Sequence, residues 1–162
     1  MALIDFPQLV DTASGLSSAS NKLLLVSGES GSGKSLLLRR IAAELRWPTI
    51  NVGQTVSKSL LSLTNRQRRL KAEEIVADTL DSPRLCLDNT EILFDPILAL
   101  NPASLLLILS RNRVVIATWN GRLENGSLVY AYPEHPEYYK GAASGFPVVT
   151  LKDEKMHLFL QP

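Results

Sequence analysis

The chain has 162 residues, a mass of 17.8 kDa and a formal charge of +1 from 17 basic and 16 acidic side chains. Apolar residues at 45% and charged residues at 20% exclude a disordered or fibrous chain. The near-zero charge argues against a nucleic-acid binder acting through its whole surface, and the single cysteine, Cys86, excludes an intrachain disulfide.

Residues 1–20 carry scattered apolar positions (Leu3, Ile4, Phe6, Leu9, Val10) and end in a turn-rich stretch, which predicts a short helical arm and a connector. Leu23-Leu-Leu-Val-Ser27 is a continuous apolar run, as in a parallel strand covered on both faces. A glycine- and serine-rich loop follows, then a helix over residues 35–45 with Leu37, Leu38, Ile41, Ala42 and Leu45 on one side. Pro48 stops that helix, and Thr49-Ile-Asn-Val52 reads as a second strand closed by Gly53. Residues 57–80 are mainly helical, as two helices or one bent at residues 64–69. Arg84-Leu-Cys-Leu-Asp88 is a third strand, residues 103–109 a short apolar helix and Val114-Val-Ile-Ala-Thr118 a fourth strand.

Residues 128–132 alternate like a strand, residues 133–145 read as a loop, and residues 146–151 and 156–160 form a closing hairpin. The expected architecture is α/β, three layers with a mainly parallel sheet. One domain is expected over residues 1–162, with the arm at 1–20 and a β-rich part at 122–162. The start of the chain has neither the basic residues nor the apolar run of a signal peptide. Its longest apolar runs fall far short of the ~20 residues that span a bilayer. A cytoplasmic protein without membrane association is expected.

The strongest chemical signal is Gly28-Glu-Ser-Gly-Ser-Gly-Lys-Ser35, a full match to G-x-x-x-x-G-K-[ST] between a strand and a helix. Glycines at Gly28, Gly31 and Gly33 let successive backbone N–H groups turn inward around a phosphate. The following helix adds its positive end. Glu29, Ser30, Ser32 and Leu36 complete the predicted cradle. Lys34 is expected to reach the β- and γ-phosphates and Ser35 to ligate Mg²⁺. No Asn-Lys-x-Asp guanine-reading motif occurs, which favours ATP over GTP.

Asp88 closes a neighbouring strand, where a carboxylate that holds the magnesium's surroundings belongs. Asn89 follows it where many ATPases place a Glu. Glu91 either turns back toward the γ-phosphate to activate water or faces solvent. The strand at residues 114–118 ends in Thr118-Trp-Asn120, offering Asn120 or Thr118 as a γ-phosphate sensor; Trp119 suits the core or a ligand contact.

With these pieces in order, the chain resembles the AAA+/STAND-type P-loop ATPases over about residues 20–121. More narrowly, Leu87-Asp-Asn-Thr-Glu-Ile-Leu-Phe-Asp-Pro96, Leu109-Ser-Arg-Asn-Arg113, Ala117-Thr-Trp-Asn-Gly121 and Tyr132-Pro-Glu-His-Pro-Glu-Tyr138 resemble the BrxF family of BREX phage-defence systems. The resemblance implies an ATP-binding, Mg²⁺-dependent ATPase of a bacterial anti-phage system, working with other BREX-type proteins. It departs from ordinary AAA+ proteins in that no C-terminal helical lid is expected.

Arg111 and Arg113 flank the turn into the fourth strand and suit either a finger reaching a neighbouring subunit's nucleotide in a homo-oligomer or solvated positions at a helix end. Arg66, Arg68, Arg69 and Lys71 form a basic cluster able to touch DNA phosphates. Glu73, Glu74 and Asp78 follow closely and favour an ordinary salt-bridged helix face there. His135 and His157 stand apart, so no zinc-type cluster is expected.

Two other functions compete with the ATPase. A small-molecule kinase suits the length and the N-terminal phosphate loop, but residues 122–145 supply a lid with only Arg122 and Lys140. A nucleotide-binding scaffold without turnover is suggested by Asn89.

Overall fold

A computed structural model describes residues 1–160. Of the β-rich part expected over 122–162, residues 161 and 162 lie outside the described residues.

The elements, in chain order, are β1 (Ala2–Ile4), α1 (Phe6–Ser14), β2 (Leu23–Gly28), α2 (Lys34–Leu45), β3 (Thr49–Asn51), α3 (Val52–Leu60), α4 (Asn65–Asp78) and β4 (Arg84–Asp88). After two 3-10 turns, Thr90–Phe94 and Pro96–Leu98, come α5 (Pro102–Leu109) and β5 (Val114–Asn120). The remainder is β6 (Arg122–Glu124), β7 (Ser127–Tyr130), β8 (Tyr139–Ala142), β9 (Val148–Lys152) and β10 (Lys155–Phe159).

Seven strands form the central sheet in the order β1-β10-β9-β2-β5-β4-β3. From β9 to β3 all pairings are parallel, and β10 and β1 add antiparallel edges. The apolar strands show why both faces must be covered, because successive side chains point to opposite sides. Leu24, Val26, Cys86 and Ile116 pack on one face against Leu9 of α1 and Leu37, Leu38 and Ile41 of α2. Leu23, Leu25, Leu85, Leu87, Val115 and Ala117 pack on the other against Val56 of α3, Val76 of α4 and Leu106 of α5. The result is a three-layer α/β sandwich with a mostly parallel sheet.

Several elements differ from the sequence expectation, each for a local reason. The arm begins with β1, which pairs Ala2 with Leu158, a partner supplied by the far end of the chain. The strand at Thr49 stops at Asn51, whose side chain accepts from the Gln54 amide at 3.0 Å and starts α3 at Val52. Gly53 therefore lies inside a helix instead of closing a strand. The break at residues 64–69 resolves into two helices, because Thr64 and Gln67 form a capping box that begins α4. β8 occupies part of the span read as a loop, and β6 pairs with β7 across Asn125-Gly126. Both turn residues have positive φ, 49° and 78°, as a tight hairpin requires. The closing hairpin forms as expected, with Asp153 and Glu154 at its turn.

Trp119 is a core residue: it is 1% exposed, donates to the Val129 carbonyl at 3.3 Å and meets Phe94 edge-on at 5.0 Å. Among the described residues, no helix is long and apolar enough to cross a membrane.

Candidate functional site

β5 lies between β2 and β4, so the carboxyl ends of all three strands meet at one edge of the sheet. The register pairs Gly28 with Asn120 and Leu87 with Ala117. The loop leaving β2 is thus flanked by Asn120 and, one strand further, by Asp88. A crevice outside the carboxyl ends of parallel strands is where open α/β sheets bind ligands.

The loop itself needs its glycines. Gly31 and Gly33 have φ of 82° and 94°, a region L-residues rarely adopt, and a Cβ on Gly28 would collide with Ser32 Oγ. The Ser32 amide donates to the Glu29 carbonyl at 3.1 Å, and the Leu37 amide to Gly33 at 3.0 Å as α2 begins. Ser32 Oγ is buried without a hydrogen-bond partner. Glu29 and Ser30 are exposed on the rim, and Leu36, 60% exposed, stands on the first turn of α2.

Lys34 is 8% exposed, with its ammonium donating to Asn120 Oδ1 at 3.0 Å and to the Glu29 carbonyl at 3.4 Å. Burial lowers its pKa below the usual lysine value, while the carboxylates of Glu91, Asp88 and Glu29 oppose that shift. Ser35 Oγ donates to Asp88 Oδ1 at 2.9 Å. The same carboxylate oxygen accepts from the Asn89 amide at 2.8 Å and from Thr118 Oγ1 at 3.2 Å. A hydroxyl and a carboxylate held together beside a phosphate loop form the hard-oxygen pair that Mg²⁺ takes from protein when phosphates and waters complete its shell. Among the described residues, no group of three or more His, Cys, Asp and Glu is placed to hold a metal ion.

Thr118 and Asn120 part company here. Thr118 is 1% exposed and spends its hydroxyl on Asp88 and, at 3.5 Å, on the Leu87 carbonyl. It supports the acid; Asn120, half-buried at the strand end, is the member of the pair that meets Lys34. Glu91 is brought to the site by the 3-10 turn after β4, half-buried, with Oε2 buried and unpartnered. Asn89 turns the other way. Its φ of 54° directs its amide to Asn51 Oδ1 at 3.0 Å, joining β4 to the cap of α3.

Arg111 and Arg113 are not brought to the crevice. They precede β5, and its seven residues put them about 20 Å from the loop at the opposite edge of the sheet. Arg113 lines a cavity with Asp81 and Pro83, and one of its terminal nitrogens, Nη1, is buried and unpartnered. In the basic cluster, Arg68 is structural, since its Nε donates to the Leu60 and Leu63 carbonyls, both at 3.1 Å. Arg66, Arg69 and Lys71 are exposed. The expected salt-bridged face is absent: among the described residues the one ion pair is Arg122–Glu124.

Arg122, which the sequence offers only as one of two cations for a kinase lid, stands at the edge of the crevice. It lines a cleft of about 240 Å³ together with Glu29 and Ser30 of the loop, Asn120, Tyr132 and His135. Its position two residues beyond Asn120 was the available signal, but the small sheet that aims it is made by tertiary pairing.

No protein-family model matches the sequence, and no curated protein does either. Among solved structures, the chain is similar to PCH-2 of C. elegans at 16% identity and a TM-score of 0.44, over 76% of this chain. It spans 40% of that protein's chain, and a likeness so distant carries no functional argument.

Proposed function

We propose that this chain binds ATP with Mg²⁺ at the Gly28 to Ser35 loop and hydrolyses it, using nucleotide state to control assembly or partner binding. The observation that carries this reading is the convergence of Ser35 on Asp88 at 2.9 Å and of Lys34 on Asn120 at 3.0 Å beside a glycine-rich helix N-terminus. In this reading Lys34 and the loop amides bind the phosphates, Ser35 and Asp88 hold Mg²⁺, and Asn120 senses the terminal phosphate. Bound Mg²⁺ supplies neutralisation of phosphate charge. Glu91, with a carboxylate oxygen buried and unpartnered beside Lys34, accepts the proton of the attacking water.

The finer reading rests on the segments quoted for the BrxF family and assigns the chain to a bacterial BREX-type defence complex. Arg111 or Arg113, remote from the chain's own loop, is then available only to a neighbouring copy's nucleotide. Arg66, Arg69 and Lys71 are the exposed groups for binding to DNA.

The test is phosphate release measured on fractions from size-exclusion chromatography, with and without Mg²⁺–ATP. Turnover confined to an assembled peak and lost in Lys34→Ala supports the ATPase; ATP binding without phosphate release above that control refutes hydrolysis. A non-hydrolysing scaffold is the second reading, favoured by the commitment of Asn89 to Asn51. It requires that wild type and Glu91→Gln alike leave phosphate release at the Lys34→Ala background. A pull-down that recovers no defence protein would refute the BREX assignment.

A further inference from the structure

The small sheet β6-β7-β8 stands beside the loop and holds one side chain of permanent positive charge over the edge of the crevice. Arg122 follows Gly121, which is buried where β5 passes into β6. Gly121 must be glycine, because a Cβ there would collide with the Val129 carbonyl oxygen of β7. The backbone therefore turns tightly against β7 and delivers Arg122 into the cleft that Glu29, Ser30 and Asn120 also line.

The guanidinium is fixed from three sides. Nε donates to Glu124 Oε1, Nη1 donates to the Ala131 carbonyl at 3.2 Å, and the group lies over the Tyr132 ring with its central carbon 4.8 Å from the centroid. Ala131 presents that carbonyl from a left-handed backbone conformation, φ 62°. These bonds use one N–H on each of two nitrogens, so most of the planar fork remains available to a ligand in the cleft. Such a fork, stacked and pre-oriented, binds a phosphate with less loss of side-chain freedom than a lysine would.

The direction of the triphosphate follows from the other side of the site. Ser35, Asp88 and Glu91 cluster at the β4–β5 end of the loop, so the phosphate that is attacked lies at that end, next to Asn120. The cleft of Arg122 opens on the same residue. The metal-side carboxylates Asp88 and Glu91 both act on Lys34, and Glu29 sits on the cleft wall. A second cation is what a phosphate group in that surrounding lacks. His135 accepts the Glu137 amide on Nδ1, whereas Arg122 carries a permanent charge.

We propose that Arg122 binds the terminal phosphate of the nucleotide in cis, so that the β6-β7-β8 sheet distinguishes a triphosphate from a diphosphate within a single chain. The inference rests on the reading of the loop as a nucleotide site and adds to it the residue that reports the third phosphate. Glu124 and Tyr132 are positioning residues, acting through the pose of the guanidinium.

The test is calorimetric titration of the full chain with ATP and with ADP, each with Mg²⁺, for wild type, R122A, R122Q and R122K. The expected result is about a ten-fold or greater loss of ATP affinity in R122A and R122Q, with ADP affinity unchanged. R122K should recover only part of the loss, since it restores charge without the fork. Y132A should show the same ATP-selective loss at smaller size, which a purely structural role would not produce. An equal loss for both nucleotides, or no loss for either, overturns the assignment of Arg122 while leaving the nucleotide site intact. Failure of wild type to bind either nucleotide overturns the underlying reading and this inference together. Circular dichroism of R122Q, which preserves polarity and most of the length, separates a missing phosphate interaction from a damaged fold.

Discussion

Ser35 and Asp88, 53 positions apart, are joined by a hydroxyl-to-carboxylate hydrogen bond of 2.9 Å that ties the first turn of α2 to the end of β4. The bond crosses over β5, the strand that separates β2 from β4. Asp88 Oδ1 also holds the Asn89 amide and the buried Thr118 hydroxyl, so one oxygen organises three segments of the site.

That arrangement separates structure from chemistry at one residue. Asp88→Asn preserves an acceptor oxygen, and its fold stability should change by less than about 1 kcal/mol. Asp88→Ala strands the Asn89 amide and weakens the anchoring of Thr118, at a cost of about 1–3 kcal/mol in urea unfolding. Both variants should lose the dependence of nucleotide affinity on Mg²⁺. Retention of that dependence in Asp88→Asn would remove the carboxylate from the metal site.

Glu91 gives a sharper kinetic expectation. Its carboxylate is half-buried in the 3-10 turn after β4, with an oxygen that no protein donor occupies. Glu91→Gln removes the proton acceptor while keeping size and polarity. Phosphate release should fall by about 10² or more with ATP affinity retained, because general-base catalysis contributes on that scale. Single-turnover assays give the chemical rate directly, and an unchanged rate would return Glu91 to a structural role.

Legibility in the sequence followed the kind of information each residue carries. Lys34, Ser35 and Asp88 terminate or follow continuous apolar strands, so local pattern and motif place them together. Glu91 and Thr118 needed the third dimension. Two carboxylates three positions apart say nothing about which turns inward, and a threonine at a strand end can face either a ligand or a neighbouring acid. β1 and β6 are three residues long, too short to display a period of two, and β1 pairs with the opposite end of the chain. Asn125-Gly126 is a hairpin signal that marks the β6–β7 turn, but the direction of Arg122 depends on the tertiary placement of the small sheet. Asn51 defeats a simple boundary because it ends β3 and caps α3 at once.

The basic cluster on α4 can be divided by substitution. Arg68 closes the end of α3 through two carbonyl bonds of 3.1 Å, whereas Arg66, Arg69 and Lys71 are exposed. Arg68→Ala should lower stability by about 1–2 kcal/mol without any nucleic acid present. The triple variant Arg66→Ala, Arg69→Ala, Lys71→Ala should leave the denaturation midpoint within the error of wild type. If this face binds DNA, that variant also reduces the slope of log affinity against log salt, by close to one for each phosphate no longer neutralised. Equal slopes in the two proteins would show that the face is merely solvated.

The lowered pKa of Lys34 makes a prediction whose sign can be worked out. Burial is the main cause, so the folded chain releases this proton at a pH where the unfolded chain, near 10.5, still holds it. In the window between the lowered pKa and 10.5 the unfolded state binds more protons, and this group's contribution to stability therefore rises with pH. A phosphate beside the ammonium favours the charged form and pulls the pKa back up. Nucleotide binding in that window must then take up protons, and affinity must fall as pH rises through the lowered pKa of the free protein. Calorimetry in buffers of different ionisation enthalpy measures the uptake directly. Wild type should show uptake between the lowered pKa and 10.5 that vanishes well below the lowered pKa, where the free protein already holds the Lys34 proton. Lys34→Arg, which stays protonated throughout, should show none from this position. Proton release on binding, or an uptake unchanged in Lys34→Arg, would mean that the buried ammonium is not the group that meets the phosphates.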